Sequence, residues 1–569
     1  MKRRFKSILT IILTLCIALS TVACKPDYED DGYDGNSTLL TVYSYGGGVG
    51  NVWLEKAKAR FEADFANYSF EEGKTGVYIR TNTEKEGNNL STIAGMEDVL
   101  FAECVEINNL FANNLTVDIS DIVGVPLNEL LVDETGAPVT TDTQTIEDKL
   151  YDEQKSYFTF SEEKYKGLPH YSHFATVTFN RALFDDKLLY FAKEPKPTAH
   201  PITNPMGYFI FNENDERSCG PNGIYENGQG DDGLPATYEE FFILCDYMVL
   251  NGVKPFIWNG SGKAGYTKYL LNTIYLNLAG KEKAQMNWNF TSSDTEFDIV
   301  TGFKDGEPVI GKGKLDNTGG GDINAQLEKY YAVEIFDKII DSTGESGWQH
   351  EDCTSSLDNY AIQEDYVKSY GENSPVAFLV EGSYWYNEAI DSTAIQDAKD
   401  TQDGWEGMND YEIMPLPRVY KGFASEIAGT KQQTLVVADQ SDSIACINAR
   451  IKDDTAKVKL AKLFLAYLYT EESLVEFTKW SNTVKMMKYG DENTESELNN
   501  DYAKMLWNYC KEADYVFPYS RNQNYLQNSQ KWSLHISRRF WHFDNDAPYE
   551  KLFGYDKTAE NFFKSYMDR

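Results

Sequence analysis

Positive charge is scarce in this chain. Its 53 lysines and arginines stand against 89 aspartates and glutamates, a formal net charge of −36. Nucleic acid and anionic lipid surfaces both demand basic patches, so a balance of this sign opposes them as partners. Histidine is rarer still, at six. Only His170 and His173 stand at a spacing that suits a shared metal, and an isolated H-x-x-H does not support a zinc site. The eight cysteines include no C-x-x-C pair. Beyond Cys16 and Cys24, the remaining Cys104, Cys219, Cys245, Cys353, Cys446 and Cys510 read as buried free thiols, because a core this large needs no staples. Past the N-terminus no segment is apolar for long enough to span a bilayer.

Phosphate-binding signatures are also missing. A G-x-G-x-x-G beginning at Gly48 requires glycine where Trp53 stands. The Gly73-Lys74-Thr75 tripeptide lacks the upstream glycine of a P-loop, its place being taken by Tyr68. What survives at 46–50 is a glycine turn that offers backbone N–H groups, with or without a ligand. No G-x-S-x-G elbow or cysteine-nucleophile signature occurs, and among so many acids spacing alone picks out no general acid and base.

The N-terminus is patterned. Lys2, Arg3, Arg4 and Lys6 precede a short apolar run from Ile8 to Leu19, which reads as a cleaved export signal. Thr21-Val22-Ala23-Cys24 resembles a bacterial lipoprotein signal, with Thr21 where an aliphatic residue is usual. That resemblance implies cleavage after residue 23 and an acyl chain such as palmitate on Cys24, a membrane tether that does not span. Residues 24–38 are rich in Asp, Gly, Asn and Ser and read as a flexible leash.

The rest of the 569 residues, with 41% hydrophobic composition overall, suffices for a large core divided between two lobes. Leu39 to Tyr45 reads as a strand, the glycines as a turn and Asn51 as a helix cap. Leu54, Ala57, Phe61 and Phe65 follow on one helical face, a strand–loop–helix opening of an α/β lobe. Thr237 and Glu240 form a capping-box pattern ahead of an apolar run that Gly252 stops. "QTLVVADQSDSIACINA" reads as strand, turn, strand. A helix follows through Val458, Ala461, Leu465 and Leu468. Polar, Gly-rich stretches at 212–233 and 300–324 read as surface excursions.

Aromatic residues carry the functional signal. "VEGSYWYNEAI" sets Tyr384, Trp385 and Tyr386 beside Gly382 and Ser383, and "PFIWNGSG" places Trp258 between a strand and a loop. Aromatic faces stack on the C–H faces of sugar rings while neighbouring acids and amides bond the hydroxyls. Trp385 reads as ligand-facing rather than core; Trp258 fits either role. The loop carrying Asn222, Glu226, Asp231 and Asp232 is oxygen-rich enough for a structural calcium, but its spacing matches no EF-hand and a solvated loop is preferred.

These stretches together resemble the extracellular solute-binding proteins of carbohydrate ABC importers, the maltose-binding-protein-like family. "TVYSYGGGVGNVWLEKAKARFEADF", "STIAGMEDVLFAE", "GLPHYSHFATVTFNRALF", "PATYEEF", "AFLVEGSYWYNEAI" and "ACINARIKDDTAKVKLAKLFLAYLYTEESLVEF" carry the likeness, in the family's order, over most of residues 38–490. The resemblance implies an α/β, two-lobed periplasmic-binding-protein fold of type II-like topology, with a hinge and a central ligand cleft. Residues 39–170 plus 440–490 would form the first lobe, and 171–439 plus 491–569 the second. It further implies a monomeric, non-enzymatic binder without cofactor that hands a sugar to ABC permease subunits. Trp385 would stack on the sugar with Tyr384 beside it; Ser44, Tyr45 and Gly46 would line the cleft; Asp98 and Glu103 would contribute carboxylates, and Tyr171 would sit near the hinge. An exported carbohydrate-active enzyme and a surface adhesin or scaffold remain the alternatives. "SNTVKMMKY" departs from the family's usual turn at that point.

Overall fold

The computed structural model describes residues 32–84, 90–102, 107–159, 164–171, 174–194, 207–289, 296–314, 321–342, 347–370, 374–390, 392, 395, 410–431, 433–436, 443–516, 548–554 and 558–567. The export signal, Cys24, Cys104 and most of the leash lie outside them.

The strand expected at the start of the fold is β1 (Thr38–Ser44), a run of β-formers of which all but Leu39 are buried. The chain then turns through the glycines into α1 (Val52–Asp64), whose buried face is Trp53, Leu54, Ala57 and Phe61, with Phe65 buried just beyond. Asn51 does not cap this helix with its side chain. It packs against Gly46 instead, so closely that a Cβ there would meet the Asn51 amide at 2.1 Å. β2 (Val77–Asn82) and β3 (Val99–Ala102) pair parallel with β1 on its two sides, and β4 (Leu168–Pro169) completes this part of the chain.

From β4 the chain passes through His170 and Tyr171 to β5 (Ala175–Asn180), which belongs to a second sheet. Helix α2 (Tyr238–Leu250) begins at the expected capping box: the Glu240 N–H donates to Thr237 Oγ1 at 3.1 Å, and the Thr237 N–H to Glu240 Oε2 at 3.2 Å. Gly252, at φ 73°, takes the left-handed turn after it. Then come β6 (Lys254–Ile257), the long α3 (Lys263–Asn289) interrupted at Gly280, α4 (Asn359–Ser369), β7 (Val376–Gly382), the short α5 (Trp385–Ile390) and β8 (Tyr411–Ile413). Overlapping the expected excursion at 300–324, a two-stranded hairpin, Glu296–Lys304 with Glu307–Lys314, carries exposed Val309 and Ile310.

The second sheet has the order β8-β5-β7-β6. The chain then forms β9 (Gln433–Val436) and β10 (Ile444–Ile447), the expected pair of strands, but they do not form a hairpin. β10 enters the first sheet antiparallel between β3 and β4, giving the order β2-β1-β3-β10-β4. β9 instead pairs parallel with β11 (Ala513–Val516) in a separate two-stranded sheet. Between β10 and β11, α6 (Thr455–Tyr467) packs on β1 and β10, α7 (Glu471–Ser481) packs on α1, and α8 (Asp501–Glu512) reaches β8 of the second sheet. The first sheet thus draws on residues 38–169 and 444–447, the second on 175–413. Cys245, Cys353, Cys446 and Cys510 are buried and Cys219 partly so, all as free thiols. No helix among the described residues is long and apolar enough to cross a membrane.

Candidate functional site

Strand β7 is apolar until its last turn, "VAFLVEG", where Glu381 closes it. The segment that follows divides its residues by helical spacing. Trp385, Tyr386 and Ala389 turn inward. Tyr384, Asn387 and Glu388, at i, i+3 and i+4, share the opposite face. Helix α4 contributes a matching pair one turn apart, Asn359 and Gln363. The Gln363 amide donates to Glu388 Oε2 at 2.7 Å and to Glu381 Oε1 at 3.2 Å, and Asn359 donates to Glu388 Oε2 at 3.1 Å. The Glu381 side chain also accepts the Gly382 N–H at 2.5 Å. Burial first, and then the charge of Glu388, push the Glu381 carboxyl well above the usual range; burial raises Glu388 as well. The Tyr384 hydroxyl interacts with Glu381 and with Tyr266 of α3.

The first sheet's glycine loop comes to this cluster. A Cβ at Gly48 would lie 2.5 Å from the Cβ of Tyr384, and Asn387 Nδ2 donates to the Gly48 carbonyl at 3.1 Å. Asn482, beyond α7, donates to Asn387 Oδ1 at 3.1 Å and accepts from Asn500 at 2.5 Å. Tyr45 packs over Gly47, and its phenol lies within electrostatic reach of that of Tyr360 on α4, which is 47% exposed. Phenol faces, amides and two carboxyls therefore meet where the two sheets' loops approach each other.

The expected site residues divide around this cluster. Tyr384 and Tyr45 belong to it. Gly46 lies in the same loop, and Ser44 ends β1 fully buried, its hydroxyl without a partner. Trp385 does not stand on the face that carries the cluster. Its ring is fully buried, edge-on to Tyr366, Tyr386, Tyr411 and Tyr502 at 5.1–5.9 Å, because it is the inward residue of α5. Trp258 is core as well, with its indole N–H on the Cys353 carbonyl at 3.2 Å and Tyr549 against its ring. Asp98 immediately precedes β3, at the end opposite the cluster. Its buried carboxylate accepts from the Thr41 N–H at 3.0 Å and from Arg450 at 2.8 Å, with Lys457 at 3.3 Å, so it holds the sheet and not a ligand. Tyr171 is buried edge-on against His170 in the crossover. Glu103 and His173 lie outside the described residues.

The acidic loop does not present a cation site. Asp231 accepts the Asn222 N–H, Asp232 accepts those of Glu226 and Gly228, and Lys431 pairs with Glu226. Among the described residues no three ligating side chains converge. His170 is enclosed by Trp53, Phe101, Tyr171 and Phe477, and burial holds its imidazole neutral. A separate recess of about 510 Å³ lies among Tyr151, Lys485, Lys488, Tyr489, Lys511 and Tyr515, away from the tyrosine and glutamate cluster.

Glu381, Glu388, Gln363, Asn359, Tyr360 and Tyr266 were not singled out by the sequence. The signals were an acid ending an apolar strand and polar pairs at i, i+4 on short helices.

No family model matches the chain, and no curated protein matches it in sequence. Solved structures do. A chitin oligosaccharide binding protein superposes with a TM-score of 0.51 at 15% identity, over 94% of this chain and 98% of its own. A structure described with xylan utilization by the thermophilic bacterium Caldanaerobius polysaccharolyticus gives 0.50 at 12% identity, over 93% and 99%. At these identities the likeness is one of fold, and it extends over nearly the whole of each chain. The expected α/β, two-lobed architecture is the fold of this protein.

Proposed function

We propose that this protein is a substrate-binding protein that captures a sugar or oligosaccharide between its lobes and delivers it to the permease of an ABC importer. In this reading residues 39–170 with 440–490 form one lobe and 171–439 with 491–569 the other. Removal of residues 1–23 leaves Cys24 acylated, and 24–38 tether a monomer to the outer face of the membrane. The observation that carries the reading is the meeting of Tyr45 and the Gly48 loop with Tyr384, Tyr360, Glu388 and Asn387. Aromatic faces beside acceptors and amides suit a polyol, and ligand contacts to both walls favour the closed arrangement of a hinged protein. A chitin oligosaccharide binder of the same fold supports the ligand class.

Calorimetric titration of the mature chain with a panel of oligosaccharides tests this. One of them binds saturably and raises the Tm, and Tyr384→Ala weakens it by at least about tenfold. No saccharide binding at all overturns the proposal.

A second reading has one observation in its favour. Two carboxyls with raised pKa, one fully buried and one partly exposed, are a pattern of acid–base catalysis. Both are tied to the same Gln363 amide, which suits binding better than proton transfer. Release of reducing ends from the panel, lost in Glu388→Gln, would instead establish a glycosidase.

A further inference from the structure

We infer that the ligand of this cleft is an amino sugar in its protonated form, its ammonium seated against Glu388 and Gln363 with Glu381 behind them. This rests on the sugar-binding reading and narrows it.

Three features of the cluster point the same way. The first is charge. Glu381 and Glu388 lie on either side of one amide, and among the described residues neither has a lysine or arginine partner. Two other buried acids meet cations, Glu328 with Lys283 at 2.8 Å and Asp98 with Arg450 and Lys457, while buried Asp232 is held by two backbone N–H groups. A charged acid buried without a cation is unfavourable, and at the partly exposed Glu388 a ligand can supply one.

The second feature is an unmet acceptor. Gln363 is fully buried and donates its Nε2 hydrogens to both carboxylates, while its own Oε1 has no donor. Glu388 likewise has hydrogen bonds on Oε2 only, and its side chain is partly exposed where Glu381 is not. An alkylammonium brings three N–H donors and one positive charge to a single point. A hydroxyl brings one donor and no charge, and an acetamide one donor and more bulk.

The third feature is the surround. Tyr266, Tyr360 and Tyr384 stand about the carboxyls, and Tyr45 closes from the other lobe. Phenol faces attract a cation and also stack on a pyranose ring, so both parts of an amino sugar are accommodated. Burial pushes the Glu381 carboxyl furthest above its usual range, so Glu388, the partly exposed one of the two, is the carboxyl that meets the ammonium.

The β-1,4-linked glucose, glucosamine and N-acetylglucosamine oligomers differ only at C2, which carries hydroxyl, amine or acetamide. Titrated at pH 6 against the mature chain beside a wider panel of neutral and amino sugars, an amino sugar binds at least tenfold more tightly than its hydroxyl and acetamide counterparts. Glu388→Gln, checked for an unchanged Tm, removes that preference. A neutral sugar that binds as tightly as its amino counterpart overturns the inference and leaves the sugar-binding reading standing. So does a preference for the amine that survives Glu388→Gln. If no saccharide of either kind binds, both readings fall.

Discussion

Gly48 and Tyr384, 336 positions apart, touch so closely that a Cβ on the glycine would stand 2.5 Å from that of the tyrosine. Real Cβ atoms do not come this near, and the atom met is close to the Tyr384 backbone, so the clash cannot be relieved by swinging a side-chain tip. The φ of Gly48 is not positive, which means alanine fits the loop itself. Gly48→Ala is therefore expected to leave the fold intact and oppose the approach of the lobes. Affinity for the ligand falls by about tenfold or more, and small-angle scattering at saturating ligand shows a larger radius of gyration than wild type. Unchanged affinity and radius would show that this contact is not part of the bound form.

Tyr384 and Trp385 are neighbours that face opposite ways, and the proposed site assigns them different effects. Trp385→Ala removes a fully buried indole from a box of four tyrosines, a change of the class that destabilises by about 3–5 kcal/mol. Denaturant melts report that loss, while the fraction still folded keeps its affinity within about twofold. Tyr384→Ala does the reverse, with affinity lost and stability changed less.

That pair also shows what a sequence makes legible. Helical spacing separates inward 385, 386 and 389 from outward 384, 387 and 388, but only once the start of α5 is known. Without it, the larger aromatic is the natural choice for a sugar platform, and it is the one the fold buries. The opening strand, the apolar face of α1 and the capping box at Thr237 depend on neighbours within a turn or two, and all were readable. The partners of β9 and β10 depend on residues about 80 and 340 positions away, so a local strand–turn–strand pattern suggests a hairpin that the fold does not make. Asp98 fails for a related reason. Its motif marks the start of a strand, whereas the cluster forms at the loops leaving β1 and β7, the ends where ligands of open α/β sheets bind.

Asp98 gives a stability prediction with a pH signature. Burial alone would raise its carboxyl, but the Thr41 N–H, Arg450 and Lys457 outweigh it and hold the pKa below 3.8. The stability it contributes is accordingly present above that value and lost as pH falls through the lowered one. Asp98→Ala leaves two cations facing an empty site and is expected to lower the unfolding free energy by about 3 kcal/mol at pH 7. Since unfolding of the variant no longer involves this proton, the difference from wild type shrinks below pH 3.8. Ligand affinity is unchanged, which separates Asp98 from the binding cluster.

Lys485 provides the opposite sign. Its buried ammonium nitrogen stands over Phe477 at 4.1 Å, Tyr469 at 5.4 Å and Trp53 at 5.7 Å, and it donates to the His170 carbonyl without a carboxylate partner among the described residues. Two effects compete here. Aromatic faces favour the cation by about 2 kcal/mol when desolvated, whereas removing an ammonium from water costs several. Burial prevails and brings the pKa from 10.5 down to about 7. Between these values the unfolded chain holds the proton and the folded one releases it, so this residue's contribution to stability rises with pH from about 7 toward 10.5 and is flat below. The protein's large negative charge bends the whole curve, so the measurement is a difference. From pH 7.5 to 9, urea unfolding of wild type should gain on Lys485→Met by about 1.4 kcal/mol per pH unit. A flat difference over that range would mean that the aromatic cage and the His170 carbonyl keep Lys485 charged.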